Sequence, residues 1–309
     1  MPRGRFAPSP TGLLHVGGAR TALVAWLAAR STGSDIALRF EDLDRPRIVP
    51  GSDCAIAEDL AWLGLDDWLG PYYQSERLPL YEQALAGLRE QDAIFACRCS
   101  RADIARAASA PHGVEDGPRY PGTCRGRTDI SASNGSIRFR VNPGDVCFDD
   151  AIAGHYCQDV SKACGDFVLR RADGVFAYQL AVVVDDLEMR IRQVVRGEDL
   201  LPSTARQMLL TVALGGTCPS YAHLPLLRDA GGERLSKRNK DIAVRDFRES
   251  GISPHRVVGW LAGTLGLCEP DAAMAPAELV AGFSFTNLRE RPGARALSPA
   301  ELRLGLQVQ

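Results

Sequence analysis

A chain of 309 residues, 45% hydrophobic and 24% charged, is long enough to bury two or three separate cores and ordinary for a globular protein. It contains no run of about 18 apolar residues and no basic-then-apolar leader, so neither a membrane span nor export is expected, and a cytoplasmic protein is. The formal net charge of -2 excludes an overall basic nucleic-acid binder but not a local basic face, and nine cysteines, an odd number, suit reduced thiols or metal ligation better than a disulfide framework.

Residues 3–7 read as a short strand, and residues 19–30 ("ARTALVAWLAAR") carry apolar residues at helical spacing with no internal Gly or Pro. Between them lies "RFAPSPTGLLHVGGAR", residues 5–20, a Gly-rich turn feeding a helix. "DIALRFEDLD", residues 35–44, is a second strand running into an acidic end, and residues 53–63 and 80–90 are helical. Strand alternating with helix predicts an α/β architecture, a parallel sheet with helices on both faces. From residue 96 to about 165 closely spaced Cys, Arg, Gly and Pro dominate, and only "SIRFRV", residues 136–141, alternates as an exposed strand does. This stretch reads as an inserted unit. The unbroken Leu and Val run of "FAYQLAVVVDDLEM", residues 176–189, predicts a strand buried on both faces, followed by "IRQVVRGEDLL" and a helix over residues 203–213. Residues 1–95 and 176–240 are therefore expected to form the two halves of one sheet around an insert at 96–175. The remainder, 241–309, is expected to be helical, its clearest segment at 253–266 capped by Ser253 with Pro254 at the first helical position.

A helix N-terminus presents unpaired N–H groups and a partial positive charge, so the Gly-rich turn before residue 19 is a place for phosphate. Gly12, Gly17 and Gly18 let a ligand approach the backbone and His15 adds a side chain there, although neither the Walker spacing nor a dinucleotide fingerprint is present. A second polar loop, "GGERLSKRNKDIAVRDF" at 231–247, carries Ser236 and Lys237 and could close over a triphosphate. Each stretch alone is more often a structural bend or a solvated loop. Together they point to nucleotide chemistry.

"PSPTGLLHVGGAR" with "RLSKR" resembles the two signature motifs of class I aminoacyl-tRNA synthetases, and "RFAPSPTG", "RFEDLD", "FAYQLAVVVDD" and "VVRGEDLLPSTARQ" resemble the glutamyl branch, over roughly residues 3–265 and in the family's order. Arg234 and Leu235 stand where Lys and Met are commoner, while Ser236 and Lys237 are retained. The resemblance implies a Rossmann-like sheet split by the insert, and activation of L-glutamate by attack of its carboxylate on the α-phosphorus of ATP. His15 and the backbone of Gly17 and Gly18 would then hold ATP, accompanied by magnesium. Ser236 and Lys237 would lie at the phosphates, with His15 and Lys237 as the catalytic pair. Arg5, Ala7, Ser9, Glu41, Tyr178 and Arg196 match the family's glutamate pocket. Two guanidinium groups suit the two substrate carboxylates and Glu41 suits its ammonium group. The bland alternatives are surface salt bridges for Arg5 and Arg196, and helix caps or solvated acids at Asp42 and Asp44 beside Glu41.

Two departures narrow the resemblance to shortened paralogues within the branch. The chain ends soon after the lysine loop, leaving no room for a large anticodon-binding part, and the insert carries "CRC" (Cys97, Cys99) followed by "YPGTC" (Tyr120, Cys124). The resemblance implies that these four hold a structural zinc. Spacing alone leaves that open, because a Cys-x-Cys pair is tighter than usual and phenolate is a rare ligand. Cys54, Cys147, Cys157, Cys164, Cys218 and Cys268 are expected to be simple thiols, and His112, His155, His223 and His255 are given no chemistry. The acceptor implied is the cyclopentenediol of queuosine in the anticodon of tRNA(Asp), reached by a monomer with no stable protein partner that activates glutamate without tRNA. Arg101, Arg106 and the arginines of 119–127 are candidate phosphate contacts. The rivals are a truncated glutamyl-tRNA synthetase charging the 3' end of tRNA(Glu), another adenylate-forming enzyme on the same sheet, and a non-catalytic zinc-containing RNA-binding module.

Overall fold

The structure, a computed structural model, describes residues 3–100, 102–104, 119–127, 135–227, 242–269, 271–289 and 300. Its first half alternates β1 (Gly4–Phe6), α1 (Val16–Ser31), β2 (Ile36–Phe40), α2 (Ser52–Trp62), β3 (Leu69–Tyr73) and α3 (Leu78–Glu90). The strands are parallel, Arg5 opposite Ala37 and Arg39 opposite Tyr72. The insert follows with β4 (Ile94–Cys97), β5 (Ser136–Phe139), the hairpin β6 (Asp145–Asp150) and β7 (Gly154–Asp159), a turn of helix α4 (Val160–Ala163) and β8 (Val168–Arg170). In the insert β4, β5 and β8 form one antiparallel sheet and β6 pairs β7.

The parallel fold resumes with α5 (Tyr178–Glu188), β9 (Gln193–Gly197), α6 (Leu201–Ala213) and β10 (Ser220–Leu224), and β9 and β10 are again parallel. A bridge from Arg3 to Ile191, with the Arg192 N–H donating to the Arg3 carbonyl at 2.8 Å, sets β9 beside β1. The order across the strands is therefore β3-β2-β1-β9-β10, with the chain reversing its direction of travel between β1 and β9. That reversal opens a crevice at the carboxyl ends of β1 and β9, where ligands of such sheets bind.

α1 occupies the centre of the main core. Leu23, Val24, Leu27 and its alanines are buried against strand residues Phe6, Ile36 and Leu38, and against Phe247 of α7 (Val244–Glu249) and Trp260 of α8 (Pro254–Gly263). Ser253 caps α8 by accepting from the Arg256 N–H, and Pro254 opens it, as the sequence predicts. Two short helices, α9 (Pro276–Leu279) and α10 (Phe285–Arg289), follow. A second core joins α3, α5 and the insert sheet through Tyr81, Phe139, Phe167, Phe176 and Leu180.

Two sequence expectations are corrected, and one strand is not expected at all. The run over 176–189 is not a strand but α5, whose Leu180, Ala181, Val182, Val183 and Val184 are all buried because it is packed against α3, α6 and β8. An unbroken apolar run does not distinguish a buried strand from a buried helix, and its length favours the helix. Among the described residues Cys147 and Cys157 are not thiols but a disulfide, facing each other across the hairpin with Cα atoms 4.1 Å apart. β3 has no counterpart in the expected elements: "LGPYY" is a half-exposed strand with an internal Pro, a composition tolerated only at a sheet edge.

Candidate active site

The loop from β1 to α1 brings the opening motif over the crevice. Pro8 accepts the Glu41 N–H at 3.0 Å, and Pro10 accepts from Val49 N–H and from the Ser52 hydroxyl at 3.0 and 2.6 Å, so the turn is pinned to the end of β2 and the start of α2. Ala7 and Ser9 lie on this pinned stretch, Ser9 accepting the Thr11 N–H at 2.8 Å. His15 caps α1, its Nδ1 accepting the Gly18 N–H at 3.1 Å. A side chain at Gly17 would stand 3.2 Å from His15 Nδ1 and one at Gly18 3.0 Å from Leu14 Cδ1, so the glycines let the imidazole fold back over the turn. No acidic residue occupies the first turn of α1, which leaves its N-terminus suited to an anion.

Ser236 and Lys237 lie outside the described residues, but both flanks of their loop are anchored at α1. On the entry side the Arg20 guanidinium donates to the Pro225 carbonyl at 2.6 Å. On the exit side Val16 N–H donates to the Ile242 carbonyl at 3.0 Å and Val244 N–H to the Leu14 carbonyl at 2.8 Å. The described residues on either side of 228–241 are thus both fastened at the start of the helix that His15 caps.

Arg5, Glu41, Tyr178 and Arg196 converge at the crevice, from β1, the end of β2, the first residue of α5 and β9. Neither arginine is a surface ion pair, each being only 4% exposed. Arg5 donates to the Val195 carbonyl at 3.1 Å and lies 3.7 Å from Asp186. Burial pushes its pKa down, opposed by Asp186 and reinforced by Arg39 and Arg196. Arg196 donates to Gln207 Oε1 at 2.8 Å, Thr204 Oγ1 at 2.8 Å, His223 Nε2 at 2.9 Å and the Tyr178 hydroxyl at 3.4 Å. Burial raises the Glu41 carboxyl above its usual range while Arg39 and Arg5 pull it down. Burial likewise raises the Tyr178 phenol, Arg196, Glu41 and Arg5 being the charges it feels most.

Beneath the pocket Arg39, fully buried, spans three carboxylates: Asp186 at 2.7 Å, Glu41 at 3.3 Å and Asp185 at 3.6 Å. Asp42 is neither a helix cap nor a solvated acid but accepts from the N–H and hydroxyl of Ser75, at 2.8 and 2.5 Å, and Asp44 pairs with Arg47 at 3.0 Å. Sequence reasoning missed Arg39, Asp186, Thr204, Gln207, Asp150 and His223. The only local signal for His223 is a histidine in the otherwise apolar strand "YAHL".

In the insert the Sγ atoms of Cys97, Cys99 and Cys124 all lie within 4.8 Å of one another, with Cys99 and Cys124 3.6 Å apart. The Tyr120 hydroxyl is 3.4 Å from the Cys97 sulfur and accepts the Cys124 N–H at 2.8 Å. A tetrahedral ion with bonds of about 2.3 Å to sulfur needs sulfur atoms about 3.8 Å apart, so this donor set fits zinc. Of the candidate RNA contacts, Arg119 donates to the Ser161 carbonyl and Arg125 to Asp166, both within the insert, while Arg101 and Arg106 lie outside the described residues. Among the described residues no helix is long and apolar enough to cross a membrane.

A parallel sheet with a glycine-rich, histidine-capped helix start at its point of reversal agrees with the fold of a class I aminoacyl-tRNA ligase. Residues 2–269 match the family of class I tRNA synthetases (E and Q), catalytic domain, and the chain belongs to that family. It is 47% identical over 307 residues to a glutamyl-Q tRNA(Asp) synthetase of Symbiobacterium thermophilum, covering 94% of each chain. It is 46% identical to one of Deinococcus radiodurans, covering 94% of this chain and 98% of that one. A glutamate-tRNA ligase of Nitrosospira multiformis is 41% identical, this chain spanning 63% of its length. The fold superposes on the crystal structure of a glutamate-tRNA synthetase from Elizabethkingia anophelis with a TM-score of 0.83 at 30% identity, over all of this chain and 71% of that one.

Proposed function

We propose that the protein activates L-glutamate with ATP, without tRNA, and transfers the glutamyl group to the cyclopentenediol of queuosine in the anticodon of tRNA(Asp). The observation that carries this reading is the convergence of Arg5, Glu41, Tyr178 and Arg196 at the switch crevice, beside a helix start built for phosphate. Near full-length likeness to the glutamyl-Q tRNA(Asp) synthetases supports the acceptor.

In the first step a glutamate carboxylate oxygen attacks the α-phosphorus of ATP and pyrophosphate leaves with the bonding electrons. The protein forms no covalent bond, so it acts by placing charge and holding geometry. Arg5 and Arg196 pair with the two carboxylates, Glu41 with the ammonium group, and Ala7 and Ser9 line the pocket from the pinned turn. His15 and the amides of Gly17 and Gly18 bind ATP, magnesium accompanies it, and Ser236 with Lys237 offsets charge on the departing phosphates. In the second step a hydroxyl of the acceptor attacks the adenylate carbonyl and AMP leaves.

Cys97, Cys99, Tyr120 and Cys124 would hold zinc, which would supply a cross-link tying the end of β4 to residues 120–124 and no chemistry to the reaction. The division into sheet halves at 1–95 and 176–240, an insert at 96–175 and a helical part at 241–309 belongs to the same reading, as do cytoplasmic location and a monomeric state.

Glutamate-dependent exchange of pyrophosphate into ATP, run without tRNA, tests the first step. Exchange lost in His15→Ala and Lys237→Ala is expected. Silence until tRNA(Glu) is added would instead support a 3'-end charging enzyme.

A further inference from the structure

We propose that Asp150 and His223 are positioning residues that orient Arg196 for the amino-acid carboxylate, so that the insert's hairpin sets the geometry of the glutamate pocket. The inference rests on the reading that Arg196 holds that carboxylate.

Asp150 closes β6 at the point where the hairpin packs on β10, the Ala151 N–H donating to the Tyr221 carbonyl at 2.9 Å. Neither Asp150 nor His223 exposes any side-chain surface. One carboxylate oxygen of Asp150 accepts three backbone N–H groups, from Ile152, Ala153 and His223, at 2.9, 2.8 and 3.0 Å. The other lies 2.5 Å from His223 Nδ1. Burial opposes the charge on Asp150, but these hydrogen bonds outweigh it and hold its pKa at about 2, so Asp150 is an anion that can only accept.

His223 must therefore carry its proton on Nδ1, donated to Asp150. That leaves Nε2 unprotonated, and Nε2 is where the Arg196 Nε–H points, at 2.9 Å, with the Thr204 hydroxyl also 3.3 Å away. The chain of dependence is directional. Backbone amides at the hairpin end fix the carboxylate, the carboxylate fixes the tautomer, and the tautomer supplies the acceptor for Arg196.

The remaining contacts of Arg196 show what this orientation achieves. Of the five N–H groups of a guanidinium, Nε–H goes to His223, two on Nη1 go to Gln207 and Tyr178, and one on Nη2 goes to Thr204. The second Nη2–H meets no acceptor among the described residues. Its direction is set by the other four, so this N–H is held in one orientation with no further loss of rotamer freedom. The Tyr221 ring stacks on His223, centroids 6.1 Å apart, and lies under the Arg196 guanidinium, which keeps both planes in place. Without the acceptor at Nε2 the guanidinium keeps Gln207, Tyr178 and Thr204 but loses the bond that fixes its Nε edge, so its plane is held less tightly.

Asp150→Asn is the sharpest perturbation. Asn is nearly isosteric and its amide oxygen still accepts the three backbone N–H groups, but its NH2 then faces His223 Nδ1. The ring must move its proton to Nε2, and two donors meet at Arg196. In the exchange assay the expected result is a glutamate KM raised ten- to a hundredfold with the ATP KM within about twofold of the native value. His223→Leu is expected to match it, and His223→Gln, which can return an acceptor toward Arg196, to recover part of the loss. A glutamate KM unchanged in a folded variant, or glutamate and ATP constants rising together, would overturn the proposal. The histidine ring spectrum of the native protein, recorded by long-range proton–nitrogen NMR at pH 7, needs neither a variant nor a substrate. It is expected to show one neutral ring protonated at Nδ1 that switches to Nε2 in Asp150→Asn, and a native ring protonated at Nε2 would refute the relay. A native protein with that ring signature but no glutamate-dependent exchange would count against the glutamate reading instead.

Discussion

Replacing Arg39 with Met removes the one cation that faces Glu41, Asp185 and Asp186 together while keeping most of the side-chain volume. Arg39 has no exposed surface, and although burial disfavours its charge, Asp186, Glu41 and Asp185 hold it protonated. The three carboxylates are affected unequally. Asp185 keeps Arg77 at 2.6 Å, Gln74 at 2.8 Å and the Tyr81 hydroxyl at 3.0 Å. Among the described residues Asp186 keeps only Arg5 as an ion-pair partner, at 3.7 Å, and Glu41 loses its ion pair at 3.3 Å. Breaking a buried pair by removing one partner costs about 3–5 kcal/mol, a large part of a typical total stability of about 5–15 kcal/mol. The loss must also depend on pH. In the variant the Glu41 carboxyl, already raised by burial, loses the opposing pull of Arg39 and rises further above its unfolded value, so the folded state binds more protons and is restored as pH falls. Urea unfolding followed by the fluorescence of the four tryptophans, at pH 5 and pH 8, reads both effects. A loss below about 1 kcal/mol at pH 8, or one equal at the two pH values, would refute the claim that Arg39 neutralises this site.

His15→Asn separates capping from catalysis. Asn caps helices well, so stability is expected to stay within about 0.5 kcal/mol of native by thermal melting, while exchange falls about a hundredfold if the imidazole serves the triphosphate. Cys124→Ser is expected to lower bound zinc, measured by mass spectrometry of the purified protein, from about one ion per chain to near zero and to lower the melting temperature, with exchange per folded molecule preserved. Acid should weaken glutamate binding before it unfolds the protein. His223 faces Asp150, Arg196, Thr204, Tyr221 and Arg5. Burial pulls its pKa below 6.5 against the pull of Asp150, so its neutral form contributes stability that is complete above about 6.5 and is lost as pH falls below that value. The glutamate KM, measured from pH 8 down to pH 5, should rise on the acid side while the ATP KM holds. A flat glutamate profile would contradict this.

What the sequence shows of this molecule depends on how far apart the interacting residues lie. The opening turn is legible because Gly17, Gly18 and His15 act on each other within one helical turn. Ser253 and Pro254 mark the start of α8 for the same reason. α5 is misread because burial on every side removes the periodicity that would mark a helix. The Cys147–Cys157 bond depends on hairpin register, and nothing in the spacing of ten announces it. Arg39 and His223 are hidden by distance in the chain: Asp186 lies 147 residues from Arg39 and Asp150 lies 73 residues from His223. The motif residues that touch substrate in the proposed mechanism are legible by family resemblance. The residues that hold them in place are visible only once the fold brings them together.

In the proposed function the activated glutamate is destined for a modified anticodon base. Incubating the protein with ATP, labelled glutamate and queuosine-bearing tRNA(Asp), then cleaving the tRNA and locating the label, tests it directly. Label is expected in the anticodon fragment, and none on tRNA(Asp) that lacks queuosine. Label on the 3' end of tRNA(Glu), with none in the anticodon of tRNA(Asp), would contradict it.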